Sequence, residues 1–379
     1  MRAHGRARDP ARPDELHFGP FLRMLRARLK APRPGAQWTG ITTRIAERLL
    51  ESGTVDAVVA MAPDPTDAWR PFPVLVTSAA EVAGCRGMRM GYAPLLATLE
   101  QARERGHRRV AVIGLPCQIH PLRALEPQWG FERLYVIGTP CSDNTTTERF
   151  HQFLGLISPR PETINYVEFR ADYHVEVRDT AGSHRRIPFL LLPLSKLPRD
   201  FFPLTCRTCV DYTNALADIT IGYMGGEGEQ WLVVRNTRGE ELLQLLGDEI
   251  AVGPPGSKGK RQGPVKGFLQ NTVRAAGGLP VRSMPDWARP VVAWLMPRIG
   301  PRGLEFARAR VEMKAIETIV HLRREAPRRI KSMVPGHVWA LVAPYGLVPN
   351  ESELPRPGGP QAFTPEDQEI RSTASQKTI

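Results

Sequence analysis

The chain has 379 residues, 42% hydrophobic and 24% charged, enough for two or three domains of roughly 100–200 residues and for a core that needs no disulfide. Its 33 glycines and 36 prolines stay below the roughly 25–30% that marks low-complexity chains. No run reaches the roughly 18 apolar residues of a spanning helix, the best being Val291 to Met296 between Pro290 and Pro297.

Residues 1–33 form a basic N-terminal segment with no apolar run behind it, so no secretory signal is expected and the chain is read as cytoplasmic. The net charge of +12, from 51 basic and 39 acidic residues, implies an acidic partner: nucleic acid, an anionic membrane surface, an acidic redox protein or a carboxylate-bearing substrate. Paired Cys/His fingers, an RNP-type aromatic strand and a basic helix leading into heptads are all missing, and no nucleic-acid partner is expected.

An α/β domain is expected over 34–155. Ile41, Ile45, Leu49 and Leu50 recur at helical spacing and Gly53 supplies a stop. The helix opens with Gly35-Ala36-Gln37-Trp38-Thr39-Gly40, a small-residue turn whose unpaired backbone donors suit an anionic group, or simply an ordinary helix entry. Val55 to Met61 reads as a buried strand. Arg109 to Cys117 and Arg133 to Cys141 are near-copies, each a basic residue, an apolar strand and Ile-Gly-x-Pro-Cys, with a short helix predicted over 119–125. Strands alternating with helices predict a parallel sheet with ligands at its carboxyl ends, where both cysteines would lie in loops.

A β-rich unit is expected over 156–252, with strand-like pieces around a turn at Asp172-Tyr173, another turn at Gly182, the pair Cys206-x-x-Cys209 and a strand from Ala217 to Tyr223. Residues 253–267 read as a basic flexible loop that is no Walker loop, because Lys260 is followed by Arg261. A helical region is expected over 268–333. In it Leu304, Ala307, Val311, Ile316, Ile319 and Val320 give helical periodicity with arginines on the other faces, which predicts a solvated basic helix. The polar, Pro-rich stretch 350–379 is expected to be a disordered tail.

Cys117, Cys141, Cys206 and Cys209 make a set of four thiols, and Cys85 is left over as a structural residue. Four thiolates suit a structural zinc or a 4Fe-4S cluster. Zinc sites usually combine two CxxC knuckles, whereas this set is one knuckle and two isolated strand-end cysteines. A thioredoxin-type pair would follow a strand and open a helix, and Cys209 is followed by Val-Asp-Tyr-Thr-Asn, more turn than helix. Cluster, zinc and no metal all remain open on spacing.

Gly114-Leu115-Pro116-Cys117-Gln118-Ile119-His120-Pro121-Leu122-Arg123 resembles the GxxCQxxxLR motif of the coenzyme F(420) hydrogenase/dehydrogenase beta-subunit family. Cys206 to Asp218, Gly222-Tyr223-Met224-Gly225, Gly303 to Arg308, Asp14 to Gly19 and Gly35 to Gly40 resemble its branch of ferredoxin-dependent 3,8-divinyl (proto)chlorophyllide 8-vinyl reductases and 7-hydroxymethyl chlorophyll a reductases. The resemblance runs from Asp14 to about Glu325. It implies FAD and 4Fe-4S clusters, with Cys117, Cys141, Cys206 and Cys209 as cluster ligands. Gly35, Gln37, Trp38, Thr39, Asn144, Arg170, Asp211, Tyr212, Thr213 and Asn214 are implied as flavin neighbours. The branch carries a further CxxCxxC-like run ahead of the segment that begins here at His4-Gly5-Arg6, so one cluster is expected in this chain and an incomplete start is the expected reason.

The implied fold is α/β, a parallel-sheet N-terminal domain with a β-rich iron-sulfur/flavin unit and a helical C-terminal region. The implied activity is reduction of a chlorophyll or bacteriochlorophyll precursor, foremost the 8-vinyl group of divinyl (proto)chlorophyllide, with electrons from reduced ferredoxin. The implied partners are that ferredoxin and a Mg-tetrapyrrole, with a homo-oligomer and a peripheral place on a photosynthetic membrane allowed. The arginine excess would suit both partners, since guanidinium binds carboxylates in a bidentate manner. Reduction of 7-hydroxymethyl chlorophyll a, deazaflavin (coenzyme F(420)) oxidoreduction and a non-enzymatic, zinc-stabilised basic binding module are the rival readings. His120, Asp143 and Tyr212 are candidate proton donors because they flank these motifs, with a structural role the plainer reading of each.

Overall fold

The computed structural model describes residues 5–223 and 229–354. Met224-Gly225 of the glycine motif and positions 355–379 of the expected tail lie outside the described residues.

The chain runs α1 (Asp14–Phe18), β1 (Arg23–Leu29), α2 (Ile41–Glu51), β2 (Ala57–Asp64), β3 (Asp67–Val76), α3 (Leu95–Glu104), β4 (Arg109–Gly114), α4 (Pro116–Trp129), β5 (Arg133–Gly138) and α5 (Thr147–Ile157). It continues through β6 (Ile164–Phe169), β7 (His174–Asp179), β8 (His184–Pro188), α6 (Leu204–Arg207), β9 (Ile219–Tyr223), β10 (Gln230–Val234), α7 (Thr237–Gln244) and β11 (Ile250–Gly253). The helices α8 (Gln262–Arg274), α9 (Ala288–Ile299), α10 (Leu304–Glu325), α11 (Ile330–Met333) and α12 (Gly336–Val342) follow.

Among the described residues the main sheet has the order β11-β1-β10-β9-β5-β4-β2-β3. Its centre, β9-β5-β4-β2, is parallel, and the flanking pairs are antiparallel. Strand alternation sends Val110, Val112, Leu134 and Val136 to one face, where α3 and α4 cover them with Leu95, Leu99, Ile119 and Leu122. Ala111, Tyr135 and Ile137 point to the other face, against Ile41, Ile45 and Leu49 of α2 and Leu242 of α7. Helices on both faces account for the near-continuous apolar runs of the central strands.

The sheet crosses the expected boundaries at 33, 155 and 252. β1, from the N-terminal segment, pairs with β10 and β11, and β9 to β11 belong to the main sheet. Of the expected β-rich unit, only β6-β7-β8 stands apart, an antiparallel three-stranded sheet packed on α5 by Phe150, Phe153, Val167 and Val175. The predicted short helix at 119–125 spans Pro116–Trp129 instead, because Pro116 is preset for a first helical turn and Gln118 Oε1 caps it by accepting from the Leu115 amide at 2.9 Å. Cys117 and Cys206 therefore sit on helices, not in loops. The expected basic loop is shorter than 253–267, since Ser257–Lys258 pairs with Arg302–Gly303 and α8 begins at Gln262. The first residues of the expected tail are structured: Asn350 caps a 3-10 turn at Glu351–Glu353, and Glu353 is buried against Arg323 at 2.8 Å.

The expectation of a solvated α10 is also corrected. Its Ala307, Val311, Ala315, Ile316 and Ile319 lie in a core with Phe18, Trp231, Val265 and Trp339, and Glu312, Lys314, Glu317 and His321 are buried with them. A helix packed on several sides can hide charges when each finds a partner.

Candidate functional site

The parallel register Gly114↔Gly138 ends β4 and β5 side by side, so Cys117 and Cys141, each three residues further on, emerge at one end of the sheet. Glycine is needed there. A Cβ on Gly138 would lie 2.6 Å from Cβ of Ala217 and 2.7 Å from Asn214, and one on Gly222 of β9 would lie 2.2 Å from the Pro140 ring. The repeated Ile-Gly-x-Pro-Cys thus lets the 211–217 loop and Pro140 close over the strand ends.

That loop ties the cysteine segments together. Asp211 accepts from His120 Nε2 at 2.9 Å, one turn after Cys117 on α4, and from the Ala215 amide at 3.0 Å. The Tyr212 carbonyl accepts from the Cys141 amide at 3.0 Å. Asn214, at φ +55°, donates to the carbonyls of Gly114 at 2.8 Å and Thr139 at 3.3 Å. Cys206 lies on α6 and Cys209 just past it, where the Cys209 carbonyl accepts from Thr318 Oγ1 of α10 at 3.0 Å. Tyr92 hangs over the group, its hydroxyl 3.5 Å from Cys206 Sγ and donating to the Asn144 carbonyl at 3.3 Å.

The thiols sense one another. Cys117 is exposed, yet desolvation by its surroundings and then the charge of Cys206 raise its thiol. Cys141 is pushed far up by burial, then by Asp143, Cys206 and Cys117. Burial pushes Cys209 up to about 11, with Cys117 contributing. Cys117, Cys141 and Cys209 are each raised by the charge of another cysteine of the set, and a bound cation would stabilise such donors as thiolates. Among the described residues, no group of three or more His, Cys, Asp or Glu is gathered as a ready-made cage for a single ion. By donor chemistry alone, four thiolates suit either a 4Fe-4S cluster or a structural zinc.

Behind the thiols lies a buried charge group from α10. Lys314 Nζ contacts Asp143 at 2.6 Å and Glu317 at 2.8 Å, with 3% of its side chain exposed. Arg310 donates to Ser142 Oγ and bonds the Tyr212 hydroxyl, whose pKa burial raises. Burial raises Asp143 to about 7 against the pull of Lys314. His120 is raised by its hydrogen bond to Asp211, and Asp211 stays below its ordinary range because that bond and His120's charge outweigh burial. Of the candidate proton donors, His120 is exposed, Asp143 is salt-bridged and Tyr212 is buried.

The residues implied as flavin neighbours fall into two groups. Asn144 and Asp211 to Asn214 line the cysteine end, but Asn144 is committed to the Gly91 backbone at 2.6 Å, and Thr213 and Asn214 bond backbone carbonyls. The turn from Gly35 to Thr39 lies elsewhere, with Thr39 Oγ1 accepting from the Leu29 amide at 3.1 Å and donating to Gln230 at 3.0 Å. The Trp38 amide bonds Glu168 of β6, and Arg170, just past that strand, is held by Asp172 at 3.2 Å and Glu176 at 3.1 Å. Gly35, Arg86, Arg89, Tyr166, Arg178 and His184 line a cleft of about 440 Å³ there. Among the described residues Arg89 has no acidic partner. It donates to the carbonyls of Met88 and Arg86, and burial lowers its pKa. Segment 86–92 joins this cationic cleft to Tyr92 at the thiols.

Sequence reasoning missed Tyr92, Arg89 and the polar stripe of α10. Only the stripe carried a signal: Arg310, Lys314, Glu317 and His321 recur at helical spacing on an otherwise apolar helix.

The family described as "Coenzyme F420 hydrogenase/dehydrogenase, beta subunit" matches this chain in two parts, its N-terminal region at residues 24–100 and its C-terminal region at residues 107–256. An uncharacterized protein of Nostoc sp. is 36% identical, covering 91% of this chain and 86% of its own. The chloroplastic 7-hydroxymethyl chlorophyll a reductase of Oryza sativa subsp. japonica is 37% identical over 90% of this chain and 74% of the relative. A chain of the F420-reducing [NiFe] hydrogenase complex from Methanosarcina barkeri shares the fold, with a TM-score of 0.56 and 21% identity over 66% of this chain and 85% of that chain. With both family regions matched in order and near full-length relatives above 30% identity, the chain belongs to the coenzyme F420 hydrogenase/dehydrogenase beta-subunit family.

Proposed function

We propose that this protein is an iron-sulfur flavoprotein oxidoreductase that reduces a chlorophyll-type tetrapyrrole with electrons from reduced ferredoxin. The observation that carries the reading is the convergence of Cys117, Cys141, Cys206 and Cys209 at the carboxyl ends of parallel strands, backed by the buried Lys314. The rice relative, named for reduction of a chlorophyll, supports the substrate class. The group reduced is the 8-vinyl group of divinyl (proto)chlorophyllide or, as that relative's name favours, a 7-hydroxymethyl group. Each takes two electrons and two protons: a vinyl group becomes ethyl, and a hydroxymethyl group becomes methyl with release of water.

A bound cluster and FAD would supply single-electron relay and two-electron transfer. The four thiolates would hold the cluster, and Lys314 would place positive charge behind Cys141 and Cys209. Gly35 and the guanidinium group of Arg89 would hold the flavin phosphates in the cationic cleft, beside Gln37, Trp38 and Thr39, while Arg86 is held by Glu47 at 2.9 Å. Arg170, Asn144, Asp211, Tyr212, Thr213 and Asn214 would act through the backbone they fix. Near the thiols, Nε2 of His120 carries a proton to Asp211, while Asp143 is paired with Lys314.

The test is anaerobic purification with iron, zinc and flavin measured on one sample, then turnover with reduced ferredoxin and mass analysis of the pigment. Iron at about four per chain with flavin, and a product that gains two hydrogens or loses one oxygen, supports the reading and identifies the group. Oxidation of reduced coenzyme F420 with no pigment turnover would favour the deazaflavin reading, and a colourless zinc protein would favour a binding module. Cys206→Ser should remove most of the iron, and full retention would refute the ligand set.

A further inference from the structure

Helix α9 is patterned inside out. Its solvent stripe is formed by Trp287, just before the helix, then Val291, Trp294 and Arg298, with Trp287 78%, Val291 52% and Trp294 59% exposed. These positions, spaced by four, three and four residues, lie on one helical face about 16 Å long at 1.5 Å per residue. The opposite face is anchored: Ala293 is buried, and the buried Arg289 donates to the carbonyls of Leu190 at 3.1 Å and Leu192 at 2.8 Å. The turn Phe189–Leu191 packs against α9 and exposes Phe189 and Leu191 as well. Ile299 at the end of the helix is 66% exposed.

Two largely bare tryptophans on one face are unusual for a surface that meets only water. The charges around them choose the occupant. The Arg298 guanidinium stacks over Trp294 at 4.2 Å from the ring centroid, and Lys196 and Arg199 are exposed on the segment to which Arg289 ties the helix. Among the described residues, none of these three cations has an acidic partner. The acid on this edge of α9 is Asp286, engaged with Arg289 at 3.3 Å. Tryptophan seeks the boundary between headgroups and acyl chains, and arginine and lysine beside it bind anionic headgroups.

We propose that the Trp287–Trp294 face of α9 docks the protein onto an anionic lipid bilayer, the tryptophan rings entering the headgroup boundary and Arg298 meeting lipid phosphates. The contact is peripheral, since no helix among the described residues is long and apolar enough to cross a membrane. The inference is independent of the reaction assigned above.

The test is co-sedimentation of the full-length protein with vesicles of phosphatidylcholine alone or mixed with phosphatidylglycerol, at low and high salt, with tryptophan quenching by brominated lipid. Binding to the mixed vesicles that weakens with salt, quenching by the brominated acyl chains, and a drop in affinity of at least about tenfold in the Trp287→Ser/Trp294→Ser variant are expected. Arg298→Glu should weaken binding without changing the unfolding midpoint. Failure of the wild type to bind, or equal binding by the folded double variant, overturns the proposal. So does light scattering in which the double substitution turns a dimer into a monomer without altering vesicle binding, because the face would then join two copies of the chain.

Discussion

Helices α9 and α10 are neighbours in sequence and opposites in environment. α10 carries arginines, glutamates, a lysine and a histidine along much of its length and is buried; α9 shows Val291 and Trp294 to solvent, with Trp287 just before it. Burial follows the surfaces a helix meets, not its mean polarity. α10 meets Phe18, Trp231 and Trp339, and its charges meet Asp143, Arg207 and Arg261. α9 meets the 189–195 segment on one face and leaves its richest apolar stripe uncovered.

Breaking the charge compensation in α10 should have the largest effect. Lys314→Met leaves Asp143 and Glu317 buried without their cation, and thermal or urea unfolding should reveal a loss of about 3–5 kcal/mol. Adding Asp143→Asn should restore part of it, and an unchanged midpoint in the single variant would mean that the buried group is not electrostatically coupled.

A smaller, pH-dependent effect belongs to His321. It lies among Arg207, Glu317, Glu325 and Lys314, and burial, then the charge of Arg207, pushes it down to about 4. The unfolded histidine protonates near its ordinary value of about 6.5, so between about 6.5 and about 4 the unfolded chain binds more protons than the native one. Stability contributed by His321 is therefore lost as the pH falls through that window. His321→Asn should flatten the decline by up to about 2 kcal/mol in urea titrations at pH about 6.5 and about 4.5, and an unaltered slope would contradict a neutral buried imidazole.

On α9 the expectation is the smallest of the three. Trp287→Ser/Trp294→Ser should change unfolding free energy by less than about 0.5 kcal/mol, since these rings bury little in the free protein. A loss of several kcal/mol would show that the stripe is already covered within the molecule, and the contrast with α10 would fail.

The repeated Ile-Gly-x-Pro-Cys and the CxxC announced the strand ends and the four thiols, because glycine, proline and cysteine are rare and each has a narrow steric or chemical use. Apolar runs announced β4 and β5, alternation announced β6 and β7, and helical spacing announced α2 and the helical character of α10, since all rest on local geometry. The solvated setting expected for α10, the separate β-rich unit and the N-terminal segment outside the sheet depended on which surfaces meet. β1 is joined by hydrogen bonds to strands some 200 residues away, Arg23 facing Val234. No local pattern records such a pairing. Tyr92 over Cys206, Lys314 behind Asp143 and Arg89 in its cleft arise in the same way, from segments distant in the chain, because a charge or a hydroxyl acquires its role only from the neighbours that folding brings to it.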